Sequence, residues 1–242
     1  MHSNLAQASQ LARKLWDREY QELKIIPSTT RRSPSKAVLL YAEILDYSRF
    51  RTVLDCGCGN GRNAIYLASK GCNVHCIDFA PAALEILRQR VEGTELQDRI
   101  KIYERSLLER FPFPNDHFDF VLDSYTFCHF LGDERLPYLR EISRVVRTSG
   151  LFMLSLFPPA DGYYGTMLSG SRDDASVITD PSNGIKKRLY SEMEIEELLA
   201  PRFKVTLSST LRFDDIVEQR IYTRRILTTV SARVTVQLDR RE

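Results

Sequence analysis

The chain has 242 residues, of which 43% are hydrophobic and 27% charged, and its formal net charge at pH 7 is +2. This length suits one α/β domain with a full core and a modest insertion, and no repeat or low-complexity segment is visible. The near-neutral charge argues against a nucleic-acid partner, and no apolar run approaches the roughly 18 residues of a membrane span.

The polar N-terminus and the cysteines indicate where the protein works. The N-terminus lacks a signal-peptide pattern, so we expect a cytoplasmic protein. The five cysteines lack the Cys-x-x-Cys spacing of a zinc site, which predicts no metal site and reduced, buried or semi-buried thiols. Basic clusters such as Lys186-Lys187-Arg188 are interpreted as solvated loops.

The first 45 residues predict helices before the sheet begins. Leu5 to Leu23 has apolar residues near the 3.6 spacing of a helix, and Ala37 to Leu45 predicts a second helix. Between them, Pro27 to Pro34 breaks the helix and could form a hinge.

Val53 to Asp78 predicts a strand, a glycine loop, a helix and a second strand, the first β-α-β unit of an open parallel sheet. Glycines at alternate positions allow a sharp turn and let a ligand lie against the main chain. In such sheets ligands bind beyond the carboxyl ends of the strands, where the loop and Asp78 converge. A carboxylate at this position can accept hydrogen bonds from both hydroxyls of a ribose.

The spacing of the glycines separates two kinds of cofactor. A dinucleotide loop reads Gly-x-Gly-x-x-Gly, whereas this loop reads Gly-x-Gly-x-Gly, with Arg62 in the place of the third fingerprint glycine. The acid before the loop, Asp55, suits a ligand with a positive amino group better than one with phosphates. The motif resembles that of class I S-adenosylmethionine-dependent methyltransferases and consists of Asp55, Gly57, Gly59, Gly61 and Asp78.

A longer match narrows the resemblance. Gly59 to Asn63, followed by Tyr66-Leu67-Ala68, is most similar to the tellurite-resistance and thiopurine type of methyltransferase domain. The resemblance is strong over residues 51–157 and implies a Rossmann-like fold with a seven-stranded, mostly parallel sheet and helices on both faces. It implies S-adenosyl-L-methionine as cofactor, bound by Asp55, Gly57, Cys58, Gly59, Gly61, Asp78, Phe79, Ser106, Leu107 and Asp123.

Three features depart from the family pattern or allow two interpretations. The family usually has an acid after the third strand, which binds the adenine amine of the cofactor. In this chain the third strand is Ile100 to Tyr103, and Ser106 or a backbone amide must bind the adenine instead. The N-terminal helix of the family lies over the cofactor. Trp16, Asp17 and Tyr20 resemble that cap, or they belong to a packing helix. For Cys58 a small packing role is the alternative.

The fourth strand, Phe118 to Asp123, leads into the best candidate for chemistry. His129 could deprotonate an acceptor, because imidazole titrates near neutral pH, or it could cap the loop. Asp123 could face a cationic substrate or sulfonium, or cap the strand end. Tyr125 in the same loop is a candidate acceptor contact, whereas His75 and His117 are interpreted as structural.

The remainder predicts a helix through Val146 that ends at Gly150, then a fifth strand from Leu151 to Phe157. Residues 158–189 show no clear period. Tyr163 and Tyr164 in this insertion suit an acceptor pocket together with Tyr20, or pack locally. Further elements are predicted at the capping box Ser191-x-x-Glu194, with a helix through Leu199, and in strands from Phe203 to Ser209 and from Ile216 to Val230.

Together these features predict a single methyltransferase domain with a cap (1–45), a cofactor core (46–157), a substrate-side insertion (158–189) and a C-terminal helix and strands (190–242). The predicted reaction is in-line methyl transfer to a small-molecule acceptor by a monomer or homodimer. Methylation of a soft chalcogen or thiol in detoxification and a non-catalytic cofactor-binding module remain alternatives. An NAD-dependent oxidoreductase is a further alternative, but this chain lacks the glycine spacing of a dinucleotide-binding loop.

Overall fold

The computed structural model describes residues 2–168, 174–217 and 219–234, and it describes side chains from Gln10 onward except that of Leu23. The helices are α1 (His2–Arg18), α2 (Pro27–Thr30), α3 (Lys36–Leu45), α4 (Arg62–Ser69), α5 (Pro81–Val91), α6 (Arg135–Val145) and α7 (Glu192–Leu199). The strands are β1 (Thr52–Cys56), β2 (Asn73–Asp78), β3 (Ile100–Glu104), β4 (Phe118–Ser124), β5 (Val146–Leu156), β6 (Val177–Thr179), β7 (Lys186–Arg188), β8 (Phe203–Val217) and β9 (Arg220–Arg233).

Seven strands form one sheet in the order β3-β2-β1-β4-β5-β9-β8. The pairings among β1 to β5 are parallel, while β9 is antiparallel to both β5 and β8. Parallel strands are buried on both faces, which explains their continuous apolar runs. The predicted seven-stranded, mostly parallel sheet is therefore confirmed.

Helices cover the two faces of the sheet and bury two apolar clusters. One cluster joins α6 and α7 to aromatic residues of the strands, with Phe118, Tyr138 and Phe152 fully buried. The other joins α3, α4 and α5 to the opposite face, with Leu67 and Phe120 at its centre. Because the register pairs Cys56 of β1 with residues at the ends of β2 and β4, the loops after these strands open at one edge.

The N-terminal helix extends further than α1 alone. After Arg18 the chain continues through a π-helical turn, Glu19–Leu23, and ends at Lys24 with a φ of 51°. The side chain of Asp17 then accepts a hydrogen bond from Ala82 N at 2.9 Å, at the first turn of α5. The segment predicted as a hinge contains the single turn α2, which begins at Pro27.

The prediction that a helix runs through Val146 and ends at Gly150 was wrong. The helix in question, α6, ends at Val145, and the chain becomes extended at Val146 because β5 pairs there with Phe118 of β4. Gly150 lies within β5, where a Cβ atom would come within 2.9 Å of the Phe118 carbonyl oxygen. The glycine therefore serves a close approach of two strands and does not end a helix.

The C-terminal strands also differ from their predicted bounds. Ile216 and Val217 end β8 and pair with Ile221 and Arg220, so they do not begin the final strand. Residues 158–189, for which no period was found, contain a 3-10 turn (Tyr164–Met167) and the β6-β7 hairpin in their described part. Among the described residues no helix is long and apolar enough to cross a membrane.

Candidate active site

The glycine loop connects β1 to α4 beneath the N-terminal helix. Gly57 N and Cys58 N donate to the Ile77 carbonyl of β2 at 2.8 and 3.1 Å, which fixes the loop against the neighbouring strand. Gly59 has a φ of +54°, and a Cβ atom added to it would overlap the Tyr20 hydroxyl oxygen. The bare main chain thus forms a cradle that any larger residue would fill.

Asp78 is the acid at the end of β2, and it holds the loop directly. One carboxylate oxygen accepts from Gly59 N at 2.9 Å and the other from Ala80 N at 2.9 Å. Burial raises the pKa of Asp78, while these backbone hydrogen bonds lower it. Each oxygen keeps a second lone pair, so the carboxylate can also accept from a vicinal diol such as that of a ribose.

Asp55 lies beneath the loop at the end of β1, with 1% of its surface exposed. Its Oδ2 atom has no hydrogen-bond partner among the described residues. Burial, followed by repulsion from Asp123, raises the pKa of Asp55 to about 7. A buried carboxylate oxygen without a donor fits a ligand that brings positive charge or an N–H group.

The N-terminal segment closes over the same loop. The Asn60 side-chain amide donates to the carbonyl oxygens of Ser28, Thr29 and Arg31, at 3.3, 3.0 and 3.2 Å. Trp16 packs edge-on against His129, with ring centroids 4.9 Å apart. Residues before β1 therefore form one wall of the site.

These elements enclose a cavity of about 650 Å³. Predicted site residues that line it are Tyr20, Gly57, Cys58, Gly59, Asp78, Phe79, Ser106, Leu107, Tyr125, His129 and Tyr164. Those that are not among its lining residues are Asp55, Gly61, Asp123 and Tyr163. Gly61 instead faces Leu87 of α5, and Tyr163 packs against Tyr222.

Asp123 is fully buried behind the loop that follows β4. Its carboxylate accepts hydrogen bonds from the Tyr138 hydroxyl at 2.7 Å, from Thr126 N at 2.8 Å and from Phe127 N at 3.1 Å. Burial raises the pKa of Asp123 to about 6, against the effect of these donors. The arrangement is that of a strand-end cap, which was one of the two sequence interpretations.

The imidazole ring of His129 is neutral, and one of its nitrogens forms a hydrogen bond to the main chain. Its Nδ1 atom lies 2.7 Å from the Lys186 carbonyl oxygen, which can only accept, so Nδ1 carries the hydrogen. Burial and the charge of Lys187 lower the pKa of His129 to about 3. Near neutral pH the Nε2 atom is therefore an unprotonated acceptor.

Aromatic rings form part of the cavity wall. Tyr125 stacks on Phe157 with centroids 4.7 Å apart, and Tyr164 meets Phe157 edge-on at 4.7 Å. Burial raises the pKa of Tyr125 to about 12, so its phenol stays protonated near neutral pH. Ser106 also lines the cavity, and its hydroxyl accepts from Leu108 N at 3.2 Å.

Two cations at the cavity were missed from the sequence. The interpretation of residues 186–188 as a solvated loop was wrong at Lys187, which is 2% exposed, and at Arg188, which is only partly exposed. Arg224 of β9 is likewise buried and lines the cavity. The sequence carried no signal for Lys187, because residues 186–188 are all basic and only the pairing of β7 turns Lys187 inward.

The glycine cradle and the Asp78 carboxylate, which line the cavity, match a ligand with a ribose. Asp55 lies behind the cavity wall, where its carboxylate can act on a positive centre only through its charge. Within the described part of the chain no cluster of His, Cys, Asp and Glu could hold a metal ion. The residues present therefore fit S-adenosylmethionine.

Comparison with known proteins agrees with the geometry. Residues 53–150 match the family described as a methyltransferase domain. An uncharacterized methyltransferase of Schizosaccharomyces pombe is 30% identical over 105 residues, which is 43% of this chain and 70% of the relative. The chain belongs to the class I S-adenosylmethionine-dependent methyltransferases, and S-adenosylmethionine is its cofactor.

Two further similarities show how far the likeness reaches. Methyltransferase GfsG of Streptomyces halstedii is 34% identical over 109 residues, or 45% of this chain, and the match spans only 38% of GfsG. A crystal structure of the 1,6-didemethyltoxoflavin-N1-methyltransferase of Burkholderia thailandensis has a TM-score of 0.70 at 21% identity. The alignment covers 95% of this chain and 90% of the Burkholderia enzyme, which shows that the two proteins share a fold.

The cradle predicts the effect of Gly59→Ala. The added Cβ atom would overlap the Tyr20 hydroxyl, so we expect the affinity for S-adenosylhomocysteine to fall at least about tenfold, or 1.4 kcal/mol. Isothermal titration calorimetry measures it. The matched control is Gly93→Ala, which also has a positive φ but nothing within 4 Å of the added atom. Equal affinities in the two variants would contradict the prediction.

The raised pKa of Asp55 predicts a pH-dependent stability. A carboxyl whose pKa is higher in the folded state stabilises the fold at low pH and loses that contribution as the pH rises from about 4 to about 7. The free energy of unfolding of the cofactor-free wild type, relative to Asp55→Asn, should therefore decrease over this range. Urea unfolding at several pH values measures this difference. A flat or rising difference would contradict the assigned pKa.

Proposed function

We propose that the protein transfers the methyl group of S-adenosylmethionine to a small organic acceptor. The observation that carries this proposal is a cavity of about 650 Å³ that is lined by the glycine loop and Asp78 together with the aromatic residues Tyr125, Phe157 and Tyr164. A largely apolar concave site with a few convergent polar groups is typical of small-molecule binding.

In this proposal the chain's residues bind, orient and exclude water. The cofactor supplies a methyl group already activated by a positively charged sulfur. Asp78 receives the ribose hydroxyls, Asp55 supplies negative charge beneath the loop, and Trp16 and Tyr20 cover the cofactor. Positioning of this kind can lower a barrier by roughly 7–11 kcal/mol in well-oriented systems.

We propose that His129 contacts the methyl acceptor and accepts a hydrogen bond from it. Its neutral Nε2 atom can hold the proton of an N–H or O–H group while the acceptor approaches. Asp123 is proposed as a positioning residue. It holds Thr126 N and Phe127 N, and so fixes the loop that presents Tyr125 and His129.

We propose for the chain the same four working parts that the sequence predicts. The cap (1–45) and the core (46–157) bind the cofactor, while the insertion (158–189) contributes Tyr164 to the acceptor side. The C-terminal part (190–242) contributes Phe213 and Arg224. The structure of the 1,6-didemethyltoxoflavin-N1-methyltransferase contains bound 1,6-didemethyltoxoflavin and S-adenosylhomocysteine, which supports a small-molecule acceptor here.

Cofactor binding is tested with Asp78→Ala. The substitution removes charge-assisted hydrogen bonds to the ribose, so the dissociation constant for S-adenosylhomocysteine should rise at least about tenfold. The matched control, Asp98→Ala, changes an exposed carboxylate on the turn before β3. Unchanged binding in Asp78→Ala would count against the proposed site.

Methyl transfer itself is tested by measuring S-adenosylhomocysteine release with a panel of small acceptors. The panel contains aromatic amines, phenols, thiols, selenite and tellurite. We expect turnover with ring-bearing acceptors, and we expect His129→Gln to lower that turnover about 10-fold or more while cofactor affinity is unchanged. Turnover of tellurite, selenite or thiols alone would favour detoxification. Cofactor binding with no turnover would favour a non-catalytic module.

A further inference from the structure

A buried lysine at the acceptor side of the cavity has no hydrogen-bond partner. Lys187 is 2% exposed and lines the cavity, and its Nζ atom has no hydrogen-bond partner among the described residues. Its Nζ atom forms an ion pair with the buried Asp180 Oδ2 at 3.7 Å, a separation too long for a direct hydrogen bond. The donors of this ammonium are therefore left for a ligand, because a buried charge is stabilised by hydrogen bonds as well as by its counter-ion.

A second cation, Arg224, forms hydrogen bonds to the buried carboxylate of Asp161. Its Nε atom donates to both oxygens of Asp161 at 3.1 and 2.9 Å. The same carboxylate accepts from Tyr164 N and Arg225 N, each at 2.8 Å, so it is rigidly placed. No hydrogen bond of the Arg224 Nη atoms is found within the described ranges, which leaves that edge of the guanidinium for a ligand.

Both cations flank one aromatic ring. Lys187 Nζ lies 4.5 Å and the Arg224 guanidinium carbon 5.0 Å from the centre of the Tyr164 ring. Asp161 and Asp180, the ion-pair partners of the two cations, are not among the residues that line the cavity, whereas Lys187, Arg224 and Tyr164 are. Asp215 also lines the cavity and forms an ion pair with Arg31. The cavity wall therefore presents two cationic groups beside one aromatic ring.

The cofactor has a different cation close to its own loop. Arg62 begins α4 directly after the glycine loop and also lines the cavity, so a cation other than Lys187 and Arg224 lies next to that loop. Lys187 and Arg224 come instead from β7 and β9, on the acceptor side.

We infer that the methyl acceptor is a flat, ring-bearing molecule with a carboxylate group, and that Lys187 and Arg224 bind this carboxylate. The inference rests on the proposed function and adds the chemical class of its acceptor. The rings of Tyr125, Phe157 and Tyr164 contact the flat part, while the ammonium and the guanidinium form charge-assisted hydrogen bonds to the carboxylate. Lys187 thereby determines specificity for an acid over its neutral analogue.

The test compares acids with their amides on the full chain saturated with S-adenosylhomocysteine. The probes are benzoate against benzamide and 2-naphthoate against 2-naphthamide, with binding measured by calorimetry and ligand-observed NMR. We expect the wild type to bind each acid at least about tenfold more tightly than its amide. In Lys187→Met this preference should fall to less than about threefold, and Lys187→Arg should retain most of it. The matched control, Lys204→Met, removes an exposed lysine of β8 and should keep the full preference.

The outcomes separate the inference from the proposed function. Equal binding of acid and amide by the wild type, or no binding of either acid at 10 mM, overturns the inference even if no variant folds. An unchanged preference in Lys187→Met overturns it as well. So does a tenfold loss of S-adenosylhomocysteine affinity in Lys187→Met, because the lysine would then serve the cofactor. Failure of the wild type to bind S-adenosylhomocysteine would instead defeat the proposed function.

Discussion

The site depends on the bonds between one carboxylate and the main chain of the glycine loop. Asp78 holds Gly59 N and Ala80 N, and the Ile77 carbonyl just before it holds Gly57 N and Cys58 N. The end of β2 thus fixes the loop after β1, and a tight bend without side chains becomes a rigid cradle. Since parallel pairing places both strand ends at one edge, the sheet itself sets this geometry.

The fold and the cofactor side could be predicted because their signals are local. The strand from residue 53, the glycines and the acid at residue 78 lie within 26 consecutive residues, and each constrains the backbone directly. The apolar runs of the parallel strands are equally direct, because burial on both faces leaves little choice of residue type. Gly150 failed as a helix end because a glycine can serve either a cap or a close approach, and only pairing between strands decides which.

The acceptor side could not be predicted because its residues come together only in three dimensions. Asp161 and Arg224 are 63 positions apart and meet through the insertion and β9. Lys187 sits in a basic run that resembles an exposed loop, yet the hairpin of β6 and β7 turns its side chain inward. Charged residues are buried only when partners are present, and a sequence does not show partners so distant.

The contacts of Asn60 give the first 35 residues a role beyond covering the core. The side-chain amide of Asn60 donates hydrogen bonds to three backbone carbonyls of residues 28–31, and the buried Glu19 carboxylate accepts one from Ile26 N at 2.6 Å. A shortened protein that starts at Ser35 would keep every strand of the sheet but lose these hydrogen bonds. Its cavity would stand open to water along one side, so the sheet alone does not make a closed site.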